Sequence, residues 1–429
     1  MGVSATDRRS IGVSPWYARP VSSPAQAEFP RSFYVANAIE LFERLAFYGA
    51  YVVLSVYLTT VVGLDDVTAG DVMALYALFR LGPILGGIVA DRVGFRVALV
   101  ISLLIYAAGY TVMALARDAF AAQSAIVLIG IAGALFKPII TGTVVRTSPP
   151  GRQTEGFAIF YRIVNAGSVI GKTLTYFVRV FVSLQLIVVN AIVASLNAVG
   201  LAAFVFREPA PTTAKGERAS VLEVLRGIGR ALSDWRFTGA LLILSGFYFM
   251  AEQFYQTFPK YVTRVIDPEA PLEWVTLVNP LCIALFQSQV TSRTQKLAPL
   301  GAMLAATFVA SGSMFLMGAL PGLAGACVSF AVFAFAEMIF APRFYDYVAR
   351  FAPKGQEATF MGLTVLPVAL GGFAGGIVSG RLIAAYLPVE GARDPFLIWS
   401  IYAGLGLACA VLMAGYHHFA SRAPTPRSE

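Results

Sequence analysis

Charge is what this sequence has least of. Only 13% of its 429 residues are charged, against about a quarter in soluble globular domains. With 57% hydrophobic residues and a mean hydropathy of +0.71, a soluble globule is excluded. Histidine is almost absent. The two present, His417 and His418, stand where the last apolar run ends, so no histidine is placed for a metal site or a His-based triad within the apolar region. That counts against an embedded hydrolase or protease. The three cysteines, Cys282, Cys327 and Cys409, lie inside apolar runs without ligand-like spacing, so neither a disulfide framework nor a zinc site is indicated. Residues 1–32 are rich in Ser, Pro, Ala and Arg and lack the apolar core of a signal peptide; they read as a disordered cytosolic tail.

What the sequence does have is long apolar runs. They predict an all-α polytopic membrane protein with twelve spans: 33–62, 68–90, 96–116, 122–146, 155–180, 184–206, 237–265, 272–292, 297–319, 323–351, 356–386 and 394–419. A basic interruption at 207–236 divides them into an N-terminal bundle, 33–206, and a C-terminal bundle, 237–419; residues 420–429 form a second cytosolic tail. Within the interruption, Ser220–Leu232 has helical spacing and a basic face, as a helix lying on the membrane surface would. The net charge of +8 implies no nucleic-acid partner, because Lys and Arg fall mainly in short loops. Arg92, Arg96, Arg146, Arg152, Arg293, Lys296, Arg350 and Lys354 share one side; Asp65, Asp66, Asp71, Asp267, Glu269 and Glu273 share the other. Both termini are therefore expected in the cytosol of a multi-pass protein of the cell (plasma or inner) membrane, with the lipid bilayer as its surroundings.

Charges inside the runs single out functional candidates. Glu40, Glu43 and Arg44 occupy the opening turns of the first span and share a helical face with Phe47 and Tyr48. An unpaired charge near the bilayer centre costs about 2.5–3.5 kcal/mol on insertion scales. These three must face other helices or an aqueous cavity, the structural alternative being a plain salt bridge between helices. Lys137, deep in the fourth span, needs a carboxylate or a cavity for the same reason. Small-xxx-small spacings at Gly82 and Gly86, Gly167 and Gly171, and Gly372, Gly376 and Gly380 allow close helix approach, either as ordinary packing or as surfaces on which two halves slide.

The stretch Glu40-Leu41-Phe42-Glu43-Arg44-Leu45-Ala46-Phe47-Tyr48 resembles the E-x-x-E-R-F-x-Y-Y signature of the proton-coupled oligopeptide transporters, a branch of the major facilitator superfamily, with Leu45 and Phe47 replacing its Phe and first Tyr. Gly133-Ala134-Leu135-Phe136-Lys137-Pro138 resembles their G-x-x-K-P element. Phe160-Tyr161-Arg162-Ile163-Val164-Asn165-Ala166-Gly167-Ser168-Val169 resembles F-Y-x-x-I-N-x-G-S-L. Glu252-Gln253, Asn279-Pro280 and Glu337 with Pro342 echo the second half. Gly87-Ile88-Val89-Ala90-Asp91-Arg92-Val93-Gly94-Phe95-Arg96 resembles the superfamily's gating motif G-x-x-x-D-R-x-G-x-R; Gly94 permits a tight turn, and Asp91 accepts charge-assisted bonds from a neighbouring helix end. Residues 290–296 are a worn copy without the Asp or Gly.

The resemblance implies a twelve-helix major facilitator fold in two six-helix bundles and proton-coupled symport of small peptides or peptide-like carboxylate-bearing solutes. The proton is the coupling ion and no other cofactor is implied. By the same resemblance Glu40, Glu43, Arg44 and Lys137 couple the proton, which Glu43 carries. Arg44 and Lys137 hold a substrate carboxylate, Tyr48 and Asn165 its backbone and Glu337 its amino group, with Arg80, Tyr161, Arg162, Glu252 and Asn279 completing the binding set. A substrate carboxylate that draws Arg44 and Lys137 from Glu43 raises the proton affinity of Glu43, so substrate and proton favour each other. There are departures. The family's outer arginine is Tyr51 here, Arg80 replaces a cavity tyrosine, and Arg162 adds a cation. Two readings of Arg80 follow: it pairs across the halves with Glu252 or Glu337 as a gate, or it meets a second anionic group of the substrate. The rivals are a proton-linked drug exporter of the same superfamily and, from another class, a membrane receptor or enzyme. Oligomeric state is not legible.

Overall fold

The computed structural model describes residues 28–149, 152–208, 221–351 and 357–422. The described residues are helical, with no strand. The first span runs Arg31–Tyr51 and continues, after a bend of 53°, as Leu54–Thr60. The second is Asp66–Leu78 and Pro83–Val93, joined by a 3-10 turn at Phe79–Leu81. Phe95–Leu115, Ala119–Thr147, Gln153–Phe181 and Leu186–Gly200, the last ending in a π turn at Leu201–Val205, complete six. The surface helix is Val221–Ser233, one residue from its expected place. The seventh span is Trp235–Gln256 with its continuations Phe258–Tyr261 and Val262–Ile266; the eighth is Leu272–Val275 and Val278–Thr294. Pro299–Ala319, Leu323–Ala349, Glu357–Gly362 with Val365–Tyr386, and Pro395–Arg422 are the ninth to twelfth.

Eight of these helices are long and apolar enough to cross a membrane alone, nine with the bent first pair. The other three are the charged or broken ones: the second interrupted at Arg80, the fifth carrying Arg162, Lys172 and Arg179, and the eighth in two pieces. Asp65, Asp118 and Asp234 begin the second, fourth and seventh spans, each side chain accepting from a backbone N–H of the first turn, which satisfies a donor the helix leaves open. The first span, expected as one run, is broken at Val52 and Val53. Both are fully buried in the core of the C-terminal half; two β-branched residues at that junction weaken the helix while their packing across the halves holds the bend.

Each six-helix half has its own apolar core. An even number of spans puts both chain ends on one face. At the opposite face the halves are drawn together: Asp66–Leu78 packs along the eleventh span, the bent end of the first against the seventh, and the fifth against Leu272–Val275. Toward the terminus-bearing face, Pro83–Val93 packs on the third and fourth spans and Val278–Thr294 on the tenth, each within its own half. The molecule is closed at the face opposite its termini.

The glycine spacings resolve into two kinds. Gly82 and Gly86 meet Ala134 of the fourth span, and Gly167 and Gly171 meet Leu41 and Leu45 of the first, all within the N-terminal half. Gly376 and Gly380 instead meet Gly70, Ala74 and Asp66 across the halves. A Cβ on Gly376 would stand 2.5 Å from the Ala74 nitrogen and 2.6 Å from the Gly70 carbonyl. The closed face therefore requires glycine at this crossing.

Candidate functional site

The first-span charges and Lys137 come together. Arg44 pairs with Glu43 through both guanidinium arms, Nη2 donating to Oε1 at 2.6 Å, and its Nε lies 3.3 Å from Glu40 Oε1. Lys137 Nζ donates to the same Glu40 oxygen at 2.8 Å. Two carboxylates thus share two cations, with Glu40 and Glu43 wholly buried and the lysine side chain 34% exposed. The second carboxylate oxygen of Glu40 has no partner among the described residues. Phe47 and Tyr48 lie beside the Arg44 guanidinium, 5.0 and 5.6 Å from it to the ring centres. Arg44, Arg80, Lys137, Phe47, Tyr76 and Tyr106 help line a cavity of about 200 Å³. The cluster is neutral in sum, yet each cation has a competing use: an anion entering the cavity at Lys137 or Arg44 takes a partner from a buried carboxylate.

Above this cavity the closed face is held by ion pairs between the halves. Arg80 Nη1 pairs with Glu252, whose other oxygen accepts from Tyr51 Oη at 2.9 Å; Arg80 Nη2 also reaches Tyr51 at 3.1 Å. Tyr51, at the position of the resembled family's outer arginine, is thus bonded to both members of the pair. Asp66 accepts from Lys260 at 2.7 Å and from both arms of Arg264 at 2.8 and 2.9 Å. Arg179 pairs with Glu273 at 2.6 and 2.9 Å, and Arg381 with Asp71 at 3.0 Å. Asp66 and Glu273, expected in outer loops, are buried: the charges at the span ends serve as latches between halves.

In the C-terminal half, Asn279 donates to Glu337 at 3.0 Å. Asn165 spends its amide N–H on the Tyr161 carbonyl of its own helix at 2.8 Å. Tyr161 and Arg162 are exposed, and neither side chain makes an ion pair or hydrogen bond among the described residues. In the gating motif Gly94 adopts φ +96°, the turn its sequence position anticipates. Arg96 donates to the Ala203 carbonyl, and Glu208 caps the next helix by accepting from the Phe95 N–H at 2.8 Å. Gly87 lies near Pro138, and Arg92 is exposed. The Asp91 side chain lies outside the described residues, as do the greater part of both tails and Lys354.

The latch residues Asp71, Arg179, Lys260, Arg264, Glu273 and Arg381 were not anticipated as a set, nor was Glu208. Their partners are separated by about one to three hundred positions, and nothing in the spacing links them.

A family model described as Major Facilitator Superfamily matches residues 38–376. The chain belongs to that superfamily. It is 25% identical over 341 residues to the multidrug resistance protein MdtH of Aeromonas hydrophila, covering 78% of this chain and 82% of that one. To MdtH of Escherichia coli (strain K12 / DH10B) it is 25% identical over 366 residues, 85% and 88% of the two chains. Among solved structures, a POT family transporter in complex with a thioalcohol-conjugated peptide superposes with a TM-score of 0.73 at 20% identity, covering 92% of this chain and 96% of that one. The nucleoside transporter NupG superposes at 0.77 with 17% identity, covering 90% and 99%. The fold is the major facilitator fold, and this member of the superfamily is a secondary transporter rather than an enzyme.

Proposed function

We propose that the chain is a proton-coupled symporter of small peptides or peptide-like, carboxylate-bearing solutes, working by alternating access in the cell membrane with both termini in the cytosol. The closed face is then the outer one, and the described conformation faces the cytosol. The observation that carries this reading is the Glu40, Glu43, Arg44 and Lys137 cluster on the wall of the central cavity. A substrate carboxylate recruits Lys137 and Arg44; Glu43, left without its cation, takes up a proton, and by linkage the proton strengthens substrate binding. Glu337, held by Asn279, offers an acceptor on the opposite half for an amino group. Arg80, paired with Glu252, acts as a gate. The peptide named with the superposed POT family transporter supports this reading.

A second reading is proton-linked export of drugs or other organic solutes, supported by the names of the MdtH relatives. The two separate in proteoliposomes under an imposed proton gradient, acidic outside. Symport accumulates labelled peptides in the lumen and the uncoupler abolishes accumulation; export by exchange instead drives lipophilic cations against the proton flow and leaves peptides at equilibrium.

A further inference from the structure

One buried cation of the N-terminal half remains without an anion. Lys172, in the last third of the fifth span, is 1% exposed and makes no hydrogen bond or ion pair among the described residues. Its ammonium lies between two rings, 5.6 Å from the centre of Tyr48 on the first span and 5.7 Å from that of Tyr255 on the seventh. The fifth span packs against the first, fourth and sixth spans and the start of the eighth. The sixth has no ionisable side chain. On the others every carboxylate is already engaged: Glu40 with Lys137 and Arg44, Glu43 with Arg44, and Glu273 with Arg179. Glu252, one turn before Tyr255, is held by Arg80. Ring faces at these distances offset part of the cost of burying an ammonium but supply no counter-charge.

The position of Lys172 says what is missing. Tyr48, whose ring it shares, is also 5.6 Å from the Arg44 guanidinium. The two cations are therefore at most twice that distance apart, the reach of about three residues of extended chain at ~3.5 Å each. Tyr255 belongs to the other half and packs against both cores; it covers the ammonium only while the outer latches hold. On the reading that the latched face is the outer one, parting the halves there withdraws Tyr255 and uncovers the Lys172 ammonium beside Tyr48.

We propose that Lys172 is an anion-binding subsite for the substrate, making this carrier selective for compact solutes with two carboxylates, such as peptides with an Asp or Glu side chain. One carboxylate takes the Arg44 and Lys137 end, and the second supplies the counter-ion of Lys172, so that Tyr255 closes over a neutralised pair. Arg80, already partnered by Glu252, is not needed for the second anion. The inference rests on the reading of the chain as a carrier of carboxylate-bearing solutes.

The test compares Ala-Glu with Ala-Ala uptake in proteoliposomes carrying wild type, Lys172→Met and Lys172→Arg. Wild type should favour Ala-Glu at least fivefold. Methionine keeps the length and apolar stem without the charge, and should bring Ala-Glu down to the Ala-Ala rate while leaving Ala-Ala within twofold; arginine should restore most of the preference. An unchanged ratio in Lys172→Met, or an equal loss for both peptides, overturns the proposal, as does a wild type without preference. If neither peptide is carried, the transport reading fails separately. The subsite is then judged by glutarate and butyrate as probes of purified protein: stabilisation by glutarate alone, lost in Lys172→Met, upholds it, and equal shifts in both proteins refute it.

Discussion

Arg80 and Glu252, 172 positions apart, form an ion pair that joins the two halves directly over the cavity, with Tyr51 bonded to both partners. Replacing Arg80 by tyrosine, the residue of the family pattern, leaves Glu252 with the Tyr51 hydroxyl alone. Loss of one partner of a largely buried pair costs up to about 3–5 kcal/mol, reduced here because the Arg80 side chain is 22% exposed. Arg80→Tyr should therefore slow uptake of acidic and neutral peptides by the same factor, about tenfold. A shift in the ratio of the two would instead make Arg80 a substrate contact.

Glu43→Gln addresses coupling. A neutral amide mimics the protonated acid but has no proton to cycle, so gradient-driven accumulation should vanish while exchange of internal for external labelled substrate persists within about threefold. Accumulation at the wild-type level would take Glu43 out of the mechanism. Because Glu40 keeps Lys137 and Arg44, the variant retains cations enough to bind a substrate carboxylate.

The fold was legible because it is written locally. Twelve apolar runs of helical length, the basic central interruption and Gly94 at a turn need no knowledge of distant contacts. The cluster was legible for the same reason: Glu40, Glu43 and Arg44 share one face of one helix, and Lys137 in an apolar run demands a carboxylate. The latches were not, since the span-end charges Asp66 and Glu273 read equally well as solvated loop residues until Lys260, Arg264 and Arg179 are seen to meet them across the halves. Lys172 obeys the rule that singles out Lys137, but only the third dimension shows that Lys137 has found its carboxylate and Lys172 has not. The bend at Val52 and Val53 lacks the Pro that marks such breaks, and its cause is packing against the other half.

The Asp66 latch gives a test of topology and of closure together. Asp66 is too buried to report accessibility itself, so cysteines at the exposed positions Glu269 and Arg226 should react with an impermeant maleimide only from outside and only from the cytosol, respectively. Asp66→Asn then leaves Lys260 and Arg264 facing a neutral amide. A cysteine at buried Ser55, which lines the same small crevice as Asp66 and Lys260, should become at least fivefold more reactive from outside in that background. Unchanged labelling at position 55 would show that the latch does not hold the outer face shut.

The glycine contacts separate packing from gating in one paired comparison. A side chain at Gly376 collides with Ala74 and Gly70 of the other half, whereas one at Gly171 collides with the Leu45 carbonyl of its own half, at the same 2.5 Å. The first clash is relieved by opening the outer face, a motion the carrier must make in any case. The second is relieved only by repacking the bundle, at a cost of about 1–3 kcal/mol. Gly376→Val should therefore raise outside labelling of the Ser55 cysteine, nearly abolish transport and leave the melting temperature almost unchanged. Gly171→Val should lower the melting temperature by several degrees, at about 2–4 °C per kcal/mol, without raising that labelling. Equal destabilisation by both, with no gain in labelling for Gly376→Val, would reduce the crossing of the second and eleventh spans to ordinary helix packing and remove it from the transport cycle.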